Sequence, residues 1–406
     1  MRFFHNLLII GTIMYSQTTL LLWDLVRDKN PFYTSFFNIE PWVWSVAPIY
    51  LSIQTFFYLI IPGDKILGPV TPEGNRPEYK DNGIESWFLT FLLTYFVSFY
   101  IDYSEYFDYI GDFQKTLNVY GMLLISIFFI RSKITSVKKL NEPKFNDNSL
   151  QDFYKGVELH PTFTSYNLPL KLLINSRFGM SVWGVICLMS LLSNTHQLNI
   201  LVSNILQLIY ITKFFIWEKG YVYSMDITQD RTGYYLLWGC ICYLPTVYTL
   251  PTVYHHYHND QNSYIFYLSS LSLGLLSIYL NWRVDEQRSE YRNIIENKTE
   301  GYQKLKYITS TYKTSDERFR ISYLVYSGFL GLAFHMNYLF EILSTFFWTV
   351  PGVFPNNIYA YIYLVFLTVL LIHRVERDDQ KCSLKYGNKW KEYRQKVPYN
   401  IIPYIY

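Results

Sequence analysis

Close to its end the chain passes from an apolar run into LLIHRVERDDQKCSLKYGNKWKEYRQKVPYNIIPYIY. Arg374, Asp378, Cys382 and Lys385 recur there at three- or four-residue spacing, which lines one face of a helix with them. Gly387 is placed to stop that helix, and Pro398 and Pro403 prevent a long continuation. A charged face so close to an apolar helix costs free energy unless it borders water, a ligand or partners. Cations beside the stacking rings of Trp390 and Tyr393 suit a phosphate-bearing nucleotide. A solvated juxtamembrane helix also accounts for the spacing, and on periodicity alone it is the more economical reading.

Other stretches carry groups of the same kind. In WRVDEQRSEYRN, Arg288 and Arg292 lie four apart on one helical face, a fork suited to phosphates; a solvated loop helix explains them too. Between two apolar runs, Thr212 to Thr249, stand Glu218, Asp226, Asp230 and Arg231, with the phenol of Tyr248 following Pro245. Carboxylates at membrane depth favour their neutral form, and a carboxylic acid with a raised pKa can act as a general acid at neutral pH. Pairing at a helix end accounts equally for Asp230 and Arg231. DFYKGVELHP, Asp152 to Pro161, reads as an interfacial loop broken by Gly156, and SGFLGLAFHMNY, Ser327 to Tyr338, as a packing feature.

The elements that must position these groups are membrane helices. Half of the 406 residues are hydrophobic, 20% are aromatic and only 17% are charged, and the apolar residues cluster. Leu7 to Trp23, Trp42 to Ile61, Ile200 to Trp217 and Asn357 to His373 are long enough, or nearly so, to cross a bilayer. Further windows lie around Trp87 to Tyr100, Val119 to Ile130, Phe178 to Leu192, Tyr234 to Tyr254, Tyr264 to Leu280 and Ile321 to Val350. The expected fold is all-α and polytopic, with about ten transmembrane helices. The first apolar stretch lacks a small-residue cleavage site and reads as a retained span. Residues 1–150 form N-terminal spans with almost no ionisable groups in their cores, and 151–406 carry nearly all the polar residues at membrane depth. Stretches 62–86 and 140–175 read as extramembrane loops. Basic residues concentrate in Arg131 to Lys144, Arg283 to Arg320 and the tail from Arg374, which places all three, and hence the C-terminal tail, on the cytoplasmic side. The four cysteines include no CxxC pair, so neither a disulfide framework nor a metal site is indicated. Dinucleotide-fold and Walker fingerprints are absent, as is any basic repeat with interleaved aromatics that would suggest nucleic acid.

HRVERDDQKCSLKYGNKWKEY resembles the C-terminal signature of the membrane sterol reductases, the family of the delta-14, delta-7 and delta-24(28) reductases and the lamin B receptor. His373, Arg374, Arg377, Asp378, Cys382, Tyr386, Gly387, Trp390 and Tyr393 stand where that signature has them. DFYKGVELHP resembles a second family signature, with His160 in place of Asn and Thr162 in place of Arg. NSRFGMSVW (Asn175 to Trp183) and the Trp-Glu, Gly-Tyr, Met-Asp-Ile and Asp-Arg pattern after Trp217 are similar to the delta-7 branch, with Gln229 in place of His and Tyr234 in place of Phe. In SGFLGLAFHMNY, Gly328, Gly331, His335, Asn337 and Tyr338 are kept, whereas Leu330 replaces Trp and Phe334 replaces Arg.

The resemblance implies an NADPH-dependent reductase of the C7–C8 double bond of delta-5,7 sterols in sterol biosynthesis, with a nucleotide pocket and sterol site in 151–406. It implies cofactor contacts at Arg288, Arg292, Val325, Leu330, Asn337, Tyr338, Asp378, Cys382, Ser383, Leu384, Lys385, Tyr386 and Tyr393. Asp378 or Tyr248 would supply or relay the proton, with Glu218 and Asp226 shaping the polar side. The sterol would enter from the bilayer, in the endoplasmic reticulum or a host-derived membrane. Reduction of the delta-14 or another sterol double bond, a sterol-binding homologue of impaired activity, and an isoprenylcysteine-type methyltransferase are the alternatives.

Overall fold

A computed structural model describes residues 2–18, 39–68, 76–138, 148–163, 168–194, 196–258, 261–313, 319–352 and 358–406. It divides into two compact units. The first comprises Met1–Thr71 and Arg76–Asp260, the second Pro72–Asn75 and Gln261–Tyr406.

The first unit is a bundle of helices α1 (Arg2–Thr18), α2 (Pro41–Ile60), α3 (Gly83–Val97), α4 (Ile110–Lys138), α5 (Ser149–Lys155), α6 (Leu170–Ser193), α7 (Leu198–Ile216) and α8 (Tyr234–Tyr257), with short helical turns between α7 and α8. Two small antiparallel hairpins accompany them: β1 (Asp64–Leu67) with β2 (Glu78–Asp81), and β3 (Thr162–Phe163) with β4 (Leu168–Pro169). Helices α6 and α8 are buried along most of their length, α2 and α4 along less than a third. The outer helices therefore present apolar side chains such as Phe56, Ile60, Ile127 and Ile130 to the surroundings, as lipid-facing helices do. Both central helices contain π-type turns, over Leu173–Met180 in α6 and Gly239–Tyr248 in α8, the latter around Pro245, which lacks an N–H for the regular ladder.

Polar side chains link the central helices. Trp183 Nε1 donates to Gln207 Oε1 (2.8 Å), Gln207 Nε2 to Thr252 Oγ1 (3.0 Å), Thr252 Oγ1 to Asn204 Oδ1 (2.9 Å) and Asn204 Nδ2 to Ser190 Oγ (3.1 Å). All five residues are buried, and in an apolar surrounding such bonds act as specific glue because the alternative is an unsatisfied polar group. The turn after α5 shows a backbone-to-backbone approach. Gly156 has φ +86°, and a Cβ on either Gly156 or Gly233 would strike the other's main chain.

The second unit is built on α9 (Tyr264–Asn297), α10 (Met336–Thr349), α11 (Ile362–Tyr386) and α12 (Asn388–Lys396), with the hairpin β5 (Tyr307–Lys313) and β6 (Phe319–Val325). Thirty-four helical residues reach roughly 50 Å against a hydrocarbon core of about 30 Å, so the polar third of α9 projects beyond the apolar part. Helix α11 ends as its sequence suggests, at Gly387 with φ +55°. The hairpin register runs from Tyr307↔Val325 to Lys313↔Phe319, and its inner face contributes Ile308 and Leu324 to a core with Val375, Trp390, Tyr393, Val397 and Ile401.

Seven helices among the described residues are long and apolar enough to span a membrane, and α3 is a shorter apolar helix. The all-α, polytopic reading holds, with ten spans an approximate count. One window is corrected. Ile321 to Val350 is not a span: it holds the end of β6, a 3-10 turn at Gly328–Gly331 and the 14-residue α10. FRISYLV alternates branched and aromatic residues with polar ones, a strand pattern, and Gly328 at φ +59° breaks the chain before α10. Stretch 140–175 likewise includes α5 and the start of α6. Residues 19–23 and Asn357 of the expected windows lie outside the described residues, as does 139–144 of the first basic connection.

Candidate active site

In the second unit the polar end of α9, the start of α10, the polar half of α11 and helix α12 bring their side chains together. Asp378 on α11 places Oδ2 3.5 Å from His335 Nε2. His335 stacks on Tyr338, with centroids 4.4 Å apart and planes within 5°, and its backbone N–H donates to Asn400 O (2.8 Å). Asp378 and His335 both lie in the field of Arg288, which also reaches Tyr393; against burial, which would raise it, His335, Lys381 and Arg288 hold the Asp378 carboxyl below its ordinary value. Burial pushes the His335 imidazole below its ordinary value, with Asp378 opposing and the charges of Arg288 and Arg394 assisting. Burial raises the Tyr393 phenol to about 12, against the same two cations, so it stays a neutral donor or stacking ring at neutral pH.

The walls are aromatic and basic. Trp390 and Tyr393 stack at 5.0 Å, and Tyr386 lies 6.3 Å from Trp390. Ser322 Oγ and Tyr386 OH are 3.1 Å apart, and the Lys385 ammonium lies over the Tyr312 ring at 3.8 Å and the Tyr386 ring at 4.9 Å. At the α9–α10 contact, Asn337 Nδ2 donates to Asp285 Oδ1 (3.0 Å), and Asn281 Nδ2 donates to Glu341 Oε2 (3.0 Å) and Asn337 O (2.8 Å). Asn337 Oδ1 is buried with no hydrogen-bond partner among the described residues.

The expected cofactor residues fall into three groups. Arg288, Tyr338, Asp378, Cys382, Tyr386 and Tyr393 gather around His335 and Trp390, with Lys385 and Asn337 at the margins. Arg292, Ser383 and Leu384 are exposed. Val325 and Leu330 pack in a core with Val284, Ala333 and Met336, so Leu330 fills space there. Phe334 is buried against Trp390 at 5.1 Å and Tyr393 at 6.3 Å, and the Arg394 guanidinium lies over its ring at 5.7 Å. A cation thus stands beside position 334 although the residue there is apolar. That cation is heavily engaged, with Val397 O, Pro398 O, Asn400 Oδ1 and the Asp379 carboxylate, and so it also ties down the tail. Sequence reading left His335, Asp285 and Arg394 out of the site. The string SGFLGLAFHMNY contained a signal for the first, and no local pattern marks the other two.

Tyr248, Glu218 and Asp226 lie in the first unit. The Glu218 carboxylate is fully enclosed and paired with Arg177 through both oxygens, Oε2 at 2.7 Å from Nη2, and it also accepts from Ser176. Arg177 Nη2 donates to Asn82 Oδ1 (2.9 Å), and Asn82 Nδ2 to the carbonyls of Tyr58 and Ile61 (3.0 Å each). A Cβ at Gly83 would collide with this pair. Asp226 is half-buried, and its carbonyl, with those of Ile227 and Asp230, accepts from the buried Lys171 ammonium. Tyr248 is half-buried and edge-on to Trp183 at 5.5 Å. No group of three or more His, Cys, Asp or Glu able to hold a metal occurs among the described residues.

Comparison with known proteins agrees with the sequence resemblance. Residues 3–406 match the Ergosterol biosynthesis ERG4/ERG24 family. The chain is 36% identical over 377 residues to the 7-dehydrocholesterol reductase of Arabidopsis thaliana, covering 89% of this chain and 85% of that protein. It is 33% identical over 377 residues to the probable 7-dehydrocholesterol reductase of Acanthamoeba polyphaga mimivirus, covering 90% and 81%. To the Delta(14)-sterol reductase of Methylotuvimicrobium alcaliphilum it is 28% identical over 384 residues, covering 91% and 85%. With apolar helices throughout and a match along nearly its full length, the chain belongs to the membrane sterol reductase family.

Proposed function

We propose that this chain is an NADPH-dependent reductase that saturates the C7–C8 double bond of delta-5,7 sterols. The observation that carries the reading is the gathering of Arg288, His335, Tyr338, Asp378, Cys382, Tyr386 and Tyr393 on four elements of the second unit. Relatives at 36% and 33% identity bear the names 7-dehydrocholesterol reductase and probable 7-dehydrocholesterol reductase.

The residues present suit a dinucleotide. Arg288, with Arg292 and Lys385, supplies charge for phosphates, and Tyr386, Trp390 and Tyr393 supply flat faces for a base. The buried, unpartnered Asn337 Oδ1 is an acceptor in want of a donor, as a carboxamide or ribose hydroxyl would provide. When bound, NADPH supplies the hydride. An isolated alkene is a weak base, so the proton must come from a nearby acid kept from bulk water. Asp378 or Tyr248 is proposed to supply or relay the proton. Glu218, held by Arg177, supports the first unit from within, and Asp226 contributes to its polar side. The sterol reaches the site from the bilayer, and the C-terminal tail faces the cytoplasm, where the nucleotide is available. Membranes of the endoplasmic reticulum, or membranes derived from a host, are the proposed location.

The relative named Delta(14)-sterol reductase favours a second reading in which a different ring bond is reduced. A methyltransferase reading has no support beside a family match that spans residues 3–406. Expression in a yeast strain that accumulates delta-5,7 sterols distinguishes the two reductase readings. Loss of the conjugated-diene absorbance with 7,8-saturated products is expected. An unchanged profile, with the protein present in membranes and delta-14 sterols reduced instead, would overturn the first in favour of the second. The double variant Asp378→Asn, Tyr248→Phe should abolish conversion, and an undiminished rate would remove both residues from proton supply.

A further inference from the structure

Asn337 carries an amide whose two ends are opposite in chemistry and nearly identical in shape. Its Nδ2 donates to Asp285 Oδ1 at 3.0 Å, and its Oδ1 is buried without a hydrogen-bond partner among the described residues. The backbone beneath is also fixed, because Asn281 Nδ2 donates to the Asn337 carbonyl at 2.8 Å. The shape of an amide does not choose between this orientation and the one turned end for end. Asp285 does. A carboxylate accepts hydrogen bonds and cannot donate them, so the turned amide would set oxygen against oxygen. Asp285 is half-buried and lies three residues before Arg288 on α9, hence on the same helical face. A carboxylate there weakens the pull of Arg288 on phosphates, and a buried acceptor without a donor is itself unfavourable. Both effects are offset if that acceptor meets a donor on the ligand.

We infer that Asp285 is a positioning residue that holds the Asn337 carbonyl toward the cofactor, so that the site selects a hydrogen-bond donor on the nicotinamide riboside. The inference rests on the proposed binding of a dinucleotide and deepens it. The donor is the carboxamide N–H or a ribose O–H, which present the same chemistry to Oδ1. His335, two residues before Asn337, meets Asp378, a candidate source of the proton, which places the hydride-bearing end of the cofactor nearest. A site that holds an acceptor in place rejects ligands lacking the donor, because the acceptor is then left buried and unpaired.

The test uses the full chain in lipid nanodiscs and reads cofactor binding by fluorescence titration, beside turnover and melting temperature. Two analogues of NADPH separate the donors. One carries an acetyl group in place of the carboxamide, and the other lacks the hydroxyls of the nicotinamide ribose. The parent should bind one of them at least about tenfold more weakly than NADPH, and that one names the donor. Asn337→Leu should bind NADPH and that analogue alike; Asn337→Ala replaces it if it fails to fold. Asn337→Asp sets two carboxylates together and should weaken NADPH at least about tenfold. Adding Asp285→Asn to it exchanges donor and acceptor, returns an oxygen to the cofactor, and should restore affinity to within about threefold. A parent that binds NADPH and both analogues equally would overturn the inference alone. A folded exchange variant no tighter than Asn337→Asp would overturn the part given to Asp285. A folded parent that does not bind NADPH would overturn the dinucleotide reading and this inference together.

Discussion

The two units hold their charges in opposite ways. In the first, Arg177, Glu218, Ser176 and Asn82 form a buried set in which charge meets charge: both Glu218 oxygens pair with the terminal nitrogens of Arg177, whose Nε is buried without a partner among the described residues. In the second, Arg288 is exposed, Asp378 is half-buried, and His335 and Asn337 keep buried polar atoms without partners. Both sets combine arginine, carboxylate and amide, so residue type does not separate them. What separates them is exposure of charge, since each set keeps a buried polar atom without a partner. A carboxylate enclosed with its guanidinium has little left for a ligand, whereas an exposed arginine beside a half-buried carboxylate can still take one.

If the buried set is structural, Glu218→Ala should cost about 3–5 kcal/mol, because it strands the buried Arg177 guanidinium. Thermal unfolding in detergent would measure it, and a loss of turnover with unchanged melting would instead make Glu218 part of the chemistry. Gly83→Ala should destabilise by about 1–3 kcal/mol by driving a methyl group into the same pair, and NADPH affinity in the folded fraction should be unchanged. In the open set the effects should be on binding. Arg288→Ala should weaken NADPH about tenfold and leave melting of the apoprotein within about 0.5 kcal/mol, read by fluorescence titration and calorimetry. The smallest expected effect concerns pH. His335 has a folded-state pKa below its unfolded value of 6.5, so its contribution to stability is complete above that value and is lost as pH falls below it. Melting temperature should therefore drop on acidification from pH 6.5, and less steeply in His335→Gln.

Sequence made the scaffold readable where one physical signal dominates. Apolar windows located most of the spanning helices, and Gly387 marked the end of α11 because a backbone at φ +55° favours glycine. It misled where two signals compete. Ile321 to Val350 is apolar enough for a span, yet the alternation in FRISYLV and the pairing with β5 make its first part a strand. Within the site, the three- and four-residue spacing correctly put Asp378, Cys382 and Lys385 on one helix. Their partners, His335, Arg288 and Tyr312, come from elements distant in sequence, and no local pattern specifies such pairings. The same holds for Glu218 and Arg177, which are 41 residues apart. Nor does sequence spacing reveal that Leu330 fills a core, or that Arg394 stands over Phe334.

Helix α9 is one uninterrupted rod from Tyr264 to Asn297, and this constrains how its gene can change. Each residue inserted into such a rod turns everything beyond it by about 100° and advances it by about 1.5 Å. A single insertion between Asn281, which is fastened to Glu341, and Arg288 would swing the arginine away from His335 and Asp378 while leaving composition almost untouched. A seven-residue insertion would restore the heading to within about 20° but displace the charge by roughly 10 Å. Lengthening the turn after Lys298 would leave that arginine where it is. Length variation in this part of the chain should therefore accumulate past the rod and be purged within it.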